Sequence, residues 1–184
     1  MSSATVSLVV AVVGVCGTLA SAIVTLLLSQ RAKLQELKYA ERQRLAEQDS
    51  AKKQQLRSCY VQLNANDRNY RDALLAYAYA LKAGSPSETE AAEVATARRA
   101  QRDARAEAQM VVSDEVLKAE GQVNYQLTDA YRRLKRLERE TDASVREPPL
   151  DEVIKLLDSI ISMLSRVRVI MRAELGIIDK PPSS

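Results

Sequence analysis

The chain has 184 residues, 27 of them basic and 24 acidic, and it contains no histidine, phenylalanine or tryptophan. Without histidine, the sequence excludes Ser/His/Asp and Cys/His nucleophile systems and His-ligated metal sites. Five glycines and five prolines are too few for the many turns of a β-sheet protein, so the composition predicts an all-α fold. We expect a protein that is not an enzyme and has no cofactor or metal site. The net charge of +3 gives no reason to expect nucleic-acid binding.

The first thirty residues predict a membrane anchor. Residues 4–28 carry no charge, and 18 of these 25 residues are hydrophobic. As a helix they would extend about 37 Å, more than the roughly 30 Å of a bilayer's hydrocarbon core. The alternatives are a buried core helix and a cleavable signal peptide, but the long uncharged run and the lack of a basic start disfavour both. Residues 1–30 are therefore predicted to be an uncleaved transmembrane helix.

Charges beside this span predict its orientation. The nearest basic residues all follow the span and none precedes it, which indicates that the following segment is cytoplasmic. We expect a single-span plasma-membrane protein with its N-terminus outside, its helical bundle in the cytoplasm, and the lipid bilayer as a partner. The candidates for binding anionic lipid are Arg31, Lys33, Lys38, Arg42 and Arg44.

Small residues recur at helical spacing within the span. Gly14, Gly17 and Ser21 would let two membrane helices approach closely, although the strict GxxxG pattern is absent. They are the candidate residues for helix packing in the membrane. The expected assembly is a homo-oligomer or a complex with a protein partner.

Beyond the span, polar and apolar patterns divide the chain. Residues 31–53 are almost entirely polar and predict a solvated helical stalk. A helical bundle is predicted over residues 54–176, followed by a flexible tail at 177–184. Its first helix carries an apolar stripe that repeats every seven residues, at Leu56, Leu63, Tyr70 and Tyr77.

Three interruptions divide the predicted bundle into helices. Residues 83–87 combine a glycine with a Ser-Pro helix start and predict a tight reversal. Residues 141–149 contain two adjacent prolines and predict a loop. Near 112–113, Ser113 precedes two acidic residues and predicts a new helix start. The chain either kinks or reverses there.

These two geometries give different bundles. A reversal at Ser113 gives four antiparallel helices, whereas a kink gives three, with residues 88–140 as one bent arm. Because no glycine or proline stands at residue 113, we slightly favour the elongated three-helix coiled coil. The predicted fold class is all-α, with an N-terminal transmembrane helix that continues into an elongated antiparallel three- or four-helix bundle.

Polar residues interrupt the apolar stripes of this bundle. Asp67 lies beside the first stripe, within the polar run 64–69, and Glu120 and Arg168 lie on apolar ridges of later helices. Such a run either binds a ligand or partner or sets the register of the bundle, and we favour the register role. We predict that Glu120 and Arg168 form a partly buried charge pair, with Asp67 as a further member.

Three stretches carry a resemblance to a known family: VVAVVGVCGTLASAIVTLLL, CYVQLNANDRNYRDAL, and AEAQMVVSDEVL with MRAELGI near the end. On these, the whole chain resembles single-span helical membrane proteins common in streptomycetes and other actinobacteria. Members of that family often have a proline where Ser113 stands, so this chain departs from the family pattern at the predicted break near 112–113. The resemblance implies a membrane-anchored helical architecture. It brings no established activity and carries over no functional residue.

The expected function is that of a non-catalytic scaffold or interaction protein. It would hold a partner, or a second copy of itself, at the cytosolic face of the plasma membrane. The alternative is an effector that oligomerises through its transmembrane helix and perturbs the bilayer.

Overall fold

A computed structural model describes residues 3–84, 88–140 and 143–178, with the side chains of 30, 33, 35–84, 88–140 and 147–178. All regular secondary structure in these residues is α-helical, which confirms the predicted all-α class. The chain divides into two compact units, Met1–Ala51 and Lys52–Ser184. The helices are α1 over Ser3–Lys82, α2 over Glu88–Ala108, α3 over Asp114–Leu137 and α4 over Ala143–Glu174.

In the first unit, the described side chains belong to α1. Every side chain from residue 35 to residue 51 is exposed, including the apolar Leu37 and Leu45. Charged residues recur every few positions in this part of α1. A membrane helix needs about 20 consecutive residues that are mostly apolar, and this pattern does not provide them.

The predicted localisation is wrong, because no helix within the described residues combines the length and the apolar character needed to cross a membrane. A single-span plasma-membrane protein with an external N-terminus and a cytoplasmic bundle is therefore not retained. The side chains of the predicted span at residues 4–28 lie outside the described residues. The same holds for the predicted packing residues Gly14, Gly17 and Ser21.

The second unit contains a hydrophobic core to which all four helices contribute. The heptad stripe of α1 is part of it: Leu63, Tyr70 and Tyr77 are buried, and Leu56 packs against the core while partly buried. α2 contributes mainly small side chains, so it can approach its neighbours closely. α3 and α4 supply most of the aliphatic side chains, among them Val123, Leu127, Leu134, Leu157, Ile160 and Leu164. Complete burial of each leucine or isoleucine contributes about 2 kcal/mol.

The end of α1 is a glycine turn at the position that the sequence predicts. Gly84 has φ of 77°, a left-handed conformation that residues with a Cβ rarely adopt. Its N–H donates to the carbonyl of Leu81 at 3.1 Å, and the N–H of Ala83 donates to Tyr79 at 2.9 Å. These bonds satisfy the last carbonyls of α1 before α2 begins at Glu88.

The chain reverses direction at Ser113. A turn after α2 leads to this residue, whose φ of −70° and ψ of 158° are extended, and its hydroxyl accepts a hydrogen bond from the N–H of Val116 at 3.3 Å. Side chains before the turn pair with side chains a similar distance after it, as Arg105 does with Glu120. This pairing is that of an antiparallel hairpin. The favoured three-helix coiled coil with a kinked arm is therefore wrong, and the four-helix alternative describes this unit.

The last helix starts earlier than the sequence predicts. α4 begins at Ala143 and includes Pro148 and Pro149, so residues 143–149 are helical rather than part of a loop. The two prolines are the sixth and seventh residues of this helix, so two i→i−4 backbone hydrogen bonds are missing near its start. At the other end, Gly176 has φ of 68°, and the N–H of Ile177 donates to Arg172 at 2.9 Å. This glycine ends the last helix at the residue where the predicted bundle ends.

Side chains connect α4 to α1 along their length. Arg71 donates from Nε to the carbonyl of Leu157 at 2.9 Å and from a terminal nitrogen to Asp158 at 2.8 Å. Lys82 pairs with Asp151 at 2.7 Å. The end of α1 thus lies beside the first half of α4, so these two helices are also antiparallel.

Candidate functional site

The candidate site is a polar network inside the second unit. Asp67, in the polar run of α1, is only 1% exposed although it is a carboxylic acid. Its neighbour Asn66 instead donates to the carbonyl of Gln62, one turn earlier on the same helix, at 2.9 Å. The polar run therefore sends one side chain into the bundle, and that side chain requires polar partners from other helices.

Gln101 of α2 supplies the first partner. Its side-chain nitrogen donates to Asp67 Oδ1 at 3.1 Å and to Asn124 Oδ1 of α3 at 3.3 Å. One amide nitrogen has two hydrogens, so both bonds form together. The three residues connect α1, α2 and α3 at one level of the bundle. The register role expected of Asp67 stays a prediction.

A second pair lies next to this level. Arg105 of α2 donates from Nε to Glu120 Oε2 of α3 at 2.8 Å. The side chain of Glu120 is fully buried, and that of Arg105 is 29% exposed. Glu120 is thus buried and paired with Arg105, whereas the sequence predicted Arg168 as its partner. Among the described residues Arg168 forms no ion pair, and its buried Nε has no hydrogen-bond partner.

The hairpin explains why Arg105 is the partner. Arg105 lies eight residues before Ser113 and Glu120 lies seven residues after it, so the two side chains meet across α2 and α3. Gln101 and Asn124 occupy the next level in the same way, twelve residues before and eleven after. In a kinked arm, Arg105 and Glu120 would lie several helical turns apart and could not pair. Glu120 would then have to pair with a residue of another helix.

Burial raises the pKa values of both acids in this network. Loss of solvation, followed by the negative charge of Glu120, raises the pKa of Asp67 to about 7, while the Gln101 hydrogen bond and the Arg105 charge lower it. Burial also raises the pKa of Glu120, against the opposing effect of Arg105. One oxygen of each carboxylate, Asp67 Oδ2 and Glu120 Oε1, has no partner within the described residues. The charge of Glu120 therefore disfavours ionisation of Asp67, whose pKa of about 7 lies near neutral pH.

A polar cavity of about 280 Å³ opens beside the network. Ligand pockets in proteins start at roughly 300 Å³, so the space suits a small molecule. Tyr70 reaches the cavity from α1, and the other lining residues belong to α2, α3 and the turn between them. The cavity is lined by Tyr70, Arg98, Gln101, Arg102, Arg105, Ala106, Gln109, Asn124 and Thr128.

Sequence reasoning missed most of these residues. Gln101 lies seven residues after Val94, on the buried stripe of α2, so its spacing was the available signal. The polarity of Asn124 and the charge of Arg105 gave no comparable signal, since both lie on helices rich in exposed polar residues. Their role depends on which helices are neighbours.

The basic residues predicted to bind anionic lipid belong to the first unit. Lys33, Lys38, Arg42 and Arg44 are exposed on the first unit, and the side chain of Arg31 lies outside the described residues. No group of three or more histidine, cysteine, aspartate or glutamate side chains in the described part of the chain is placed to hold a metal ion.

Comparisons with protein families, curated proteins and solved structures find no match to this chain. The fold and the site define the second unit as an antiparallel bundle of four helices with a hydrophobic core and one buried polar network. The resemblance to an actinobacterial family stays a prediction.

Proposed function

We propose that the protein is a non-catalytic helical interaction protein that associates with a second copy of the same chain. The contact would be made by the exposed segment of α1, defined as residues 35–51. The observation that supports this is the exposure of three large apolar side chains in that segment: Leu37 is 66% exposed, Tyr39 73% and Leu45 59%.

The physics of helices favours a partner for this segment. An isolated helix of about 15 residues is only marginally stable in water, and most helix stability in proteins comes from packing an apolar face. Leu37 and Leu45 are eight residues apart, a spacing that places both side chains on one side of a helix. Packing them against another helix would remove that apolar surface from water.

The charges of the exposed segment favour a second copy as the partner. Residues 35–51 contain four acidic and three basic side chains, interleaved along the helix. Two such helices carry almost no net charge, so they would not repel each other strongly, and opposite charges can face across the contact. A strongly acidic or basic partner would find no complementary field on this segment.

Sedimentation velocity of the full chain over a range of concentrations tests the proposal. We expect self-association of the unmodified protein, and Leu37→Gln with Leu45→Gln should weaken it at least tenfold. The matched control is Met110→Gln, because Met110 is 86% exposed but lies in the turn between α2 and α3. A monomer at every concentration, or equal association of the double variant and the control, would contradict the proposal.

A further inference from the structure

The cavity beside the polar network carries an excess of positive charge. Arg98, Arg102 and Arg105 line it from α2, and their spacing of four and three residues places them on one side of that helix. Glu120 neutralises Arg105. Within the described residues, neither Arg98 nor Arg102 forms an ion pair with a carboxylate. Two guanidinium charges at the cavity thus remain uncompensated by ion pairing.

A buried hydroxyl also lines the cavity without a partner. Tyr70 is 1% exposed, and its hydroxyl makes no hydrogen bond within the described part of the chain. A buried polar group without a partner is destabilising, and a bound molecule or water usually supplies the missing hydrogen bond. Asn124 and Thr128 add further hydrogen-bonding groups to the same wall.

Arg98 is held in place before any ligand arrives. Its guanidinium carbon lies 4.2 Å from the centre of the Tyr131 ring, a cation–π contact that restricts the side chain. Its charge also acts on Tyr70: burial raises the pKa of that hydroxyl to about 12, and Arg98 opposes the rise. The charge and the unpartnered hydroxyl are therefore close enough to act on one ligand group.

We propose that this cavity binds a small ligand through its phosphate group. Arginine presents several N–H donors in a planar fork that matches phosphate oxygens, and a phosphate dianion balances two uncompensated guanidinium charges. Its remaining oxygen can accept from the Tyr70 hydroxyl, which no protein group does. The polar and charged lining disfavours an apolar ligand. The ligand is either free phosphate or a small phosphate monoester, since both present the same oxygens.

Calorimetric titration of the full chain at constant ionic strength tests this site, with inorganic phosphate and phenyl phosphate as separate probes and chloride as the background anion. We expect saturable binding of at least one probe at one site per chain. The probe that binds more tightly identifies the source of the phosphate group. The informative variants are Arg102→Gln, which removes an exposed charge from the rim, and Tyr70→Phe, which removes only the unpartnered hydroxyl.

Each variant should weaken the better probe at least fivefold. The matched control is Arg99→Gln, because Arg99 is exposed on the same helix and does not line the cavity. We expect the control to bind within twofold of the unmodified protein, and all three variants to keep the helical circular dichroism signal. Absence of saturable binding of both probes would overturn the proposal. So would an equal loss in Arg99→Gln and Arg102→Gln, which would show only a general charge effect.

Discussion

The hydroxyl of Tyr60 in α1 donates a hydrogen bond to Oε2 of Glu174 at the end of α4, 114 residues later in the chain. Ser113 donates to the same oxygen at 2.9 Å. One carboxylate therefore joins α1, the start of α3 and the end of α4. Burial and the Glu174 carboxylate raise the pKa of the Tyr60 hydroxyl well above its usual range, so this group stays a donor at every physiological pH.

Removing the Tyr60 hydroxyl should destabilise the bundle. We expect Tyr60→Phe to lower the free energy of unfolding by about 1–2 kcal/mol, because hydrogen bonds to charged groups contribute more than neutral ones. Tyr70→Phe is the matched control, since the Tyr70 hydroxyl is buried but has no hydrogen-bond partner among the described residues. It should change stability by less than about 0.5 kcal/mol or increase it. Urea unfolding followed by circular dichroism measures both, and equal losses would contradict the assignment.

Asp67 should make the bundle less stable as the pH rises. The pKa of Asp67 is 3.8 for an unperturbed side chain, as in the unfolded chain, and about 7 in the folded protein. Between pH 3.8 and pH 7 the folded protein therefore retains a proton that the unfolded chain has released. The stability from this group is complete below pH 3.8, falls as the pH rises towards 7, and is constant above it. Each pKa unit corresponds to about 1.4 kcal/mol, reduced by relaxation of the site.

The substitution Asp67→Asn isolates this effect. The variant cannot ionise, so we expect it to be more stable than the unmodified protein at pH 8 by at least about 1 kcal/mol. The difference should shrink towards pH 4, where both side chains are neutral. Urea unfolding at intervals from pH 4 to pH 8 provides the comparison. A difference that is independent of pH would show that Asp67 does not titrate in this range.

The effects of Arg105 and Glu120 on the free energy of unfolding should be coupled. Arg105→Met leaves Glu120 buried without its counter-charge, and we expect a loss of about 2–3 kcal/mol at pH 7.5. The double variant Arg105→Met with Glu120→Leu removes both charges and should recover most of that stability, because apolar replacements of buried ion pairs are often neutral. Arg99→Met controls for loss of a surface charge on α2. Glu120→Leu alone completes the double-mutant cycle. Thermal and urea unfolding of these variants and the unmodified protein test this, and an additive double variant would exclude the coupling.

Ser113 should stabilise the reversal between α2 and α3. Ser113→Ala removes the helix cap on Val116 and the hydrogen bond to Glu174, so we expect a loss of about 1–2 kcal/mol. Ser162→Ala is the control, because that hydroxyl is exposed and bonds only to the carbonyl of Ser159 on its own helix. The control should stay within about 0.5 kcal/mol of the unmodified protein in urea unfolding. A silent Ser113→Ala variant would show that neither bond matters.

Periodicity and local stop signals predicted the parts of the fold that depend on nearby residues. The stripe of Leu63, Tyr70 and Tyr77 is buried because a repeat of seven keeps side chains on one helix face. Gly84 and Gly176 end helices in left-handed conformations, as their positions indicated. Ser113 was recognised as a helix start, but an N-cap does not encode the direction from which the chain arrives. The lack of glycine or proline at residue 113 favoured a kink, but it does not prevent a reversal.

Which residues form the site depends on the reversal of the chain at Ser113. Glu120 was found because a charge on an apolar stripe is visible in a sequence, whereas its partner is set by the neighbouring helix. The reversal brings α2 beside α3, so Glu120 pairs with Arg105 of α2 and not with Arg168 of α4. Gln101 and Asn124 were overlooked for the same reason. In the sequence, neither differs from an exposed polar residue of a helix. Only the hairpin places both at the level of Asp67.

The side-chain bonds of the bundle close loops of very different length. Arg105 and Glu120 are 15 residues apart, whereas Tyr60 and Glu174 are 114 residues apart. The longer loop costs about 1.8 kcal/mol more in closure entropy. We therefore expect the hairpin of α2 and α3 to form early in folding and the docking of α4 on α1 to come last. Although α1 is synthesised before the other three helices, it would then be among the last to acquire its full set of neighbours.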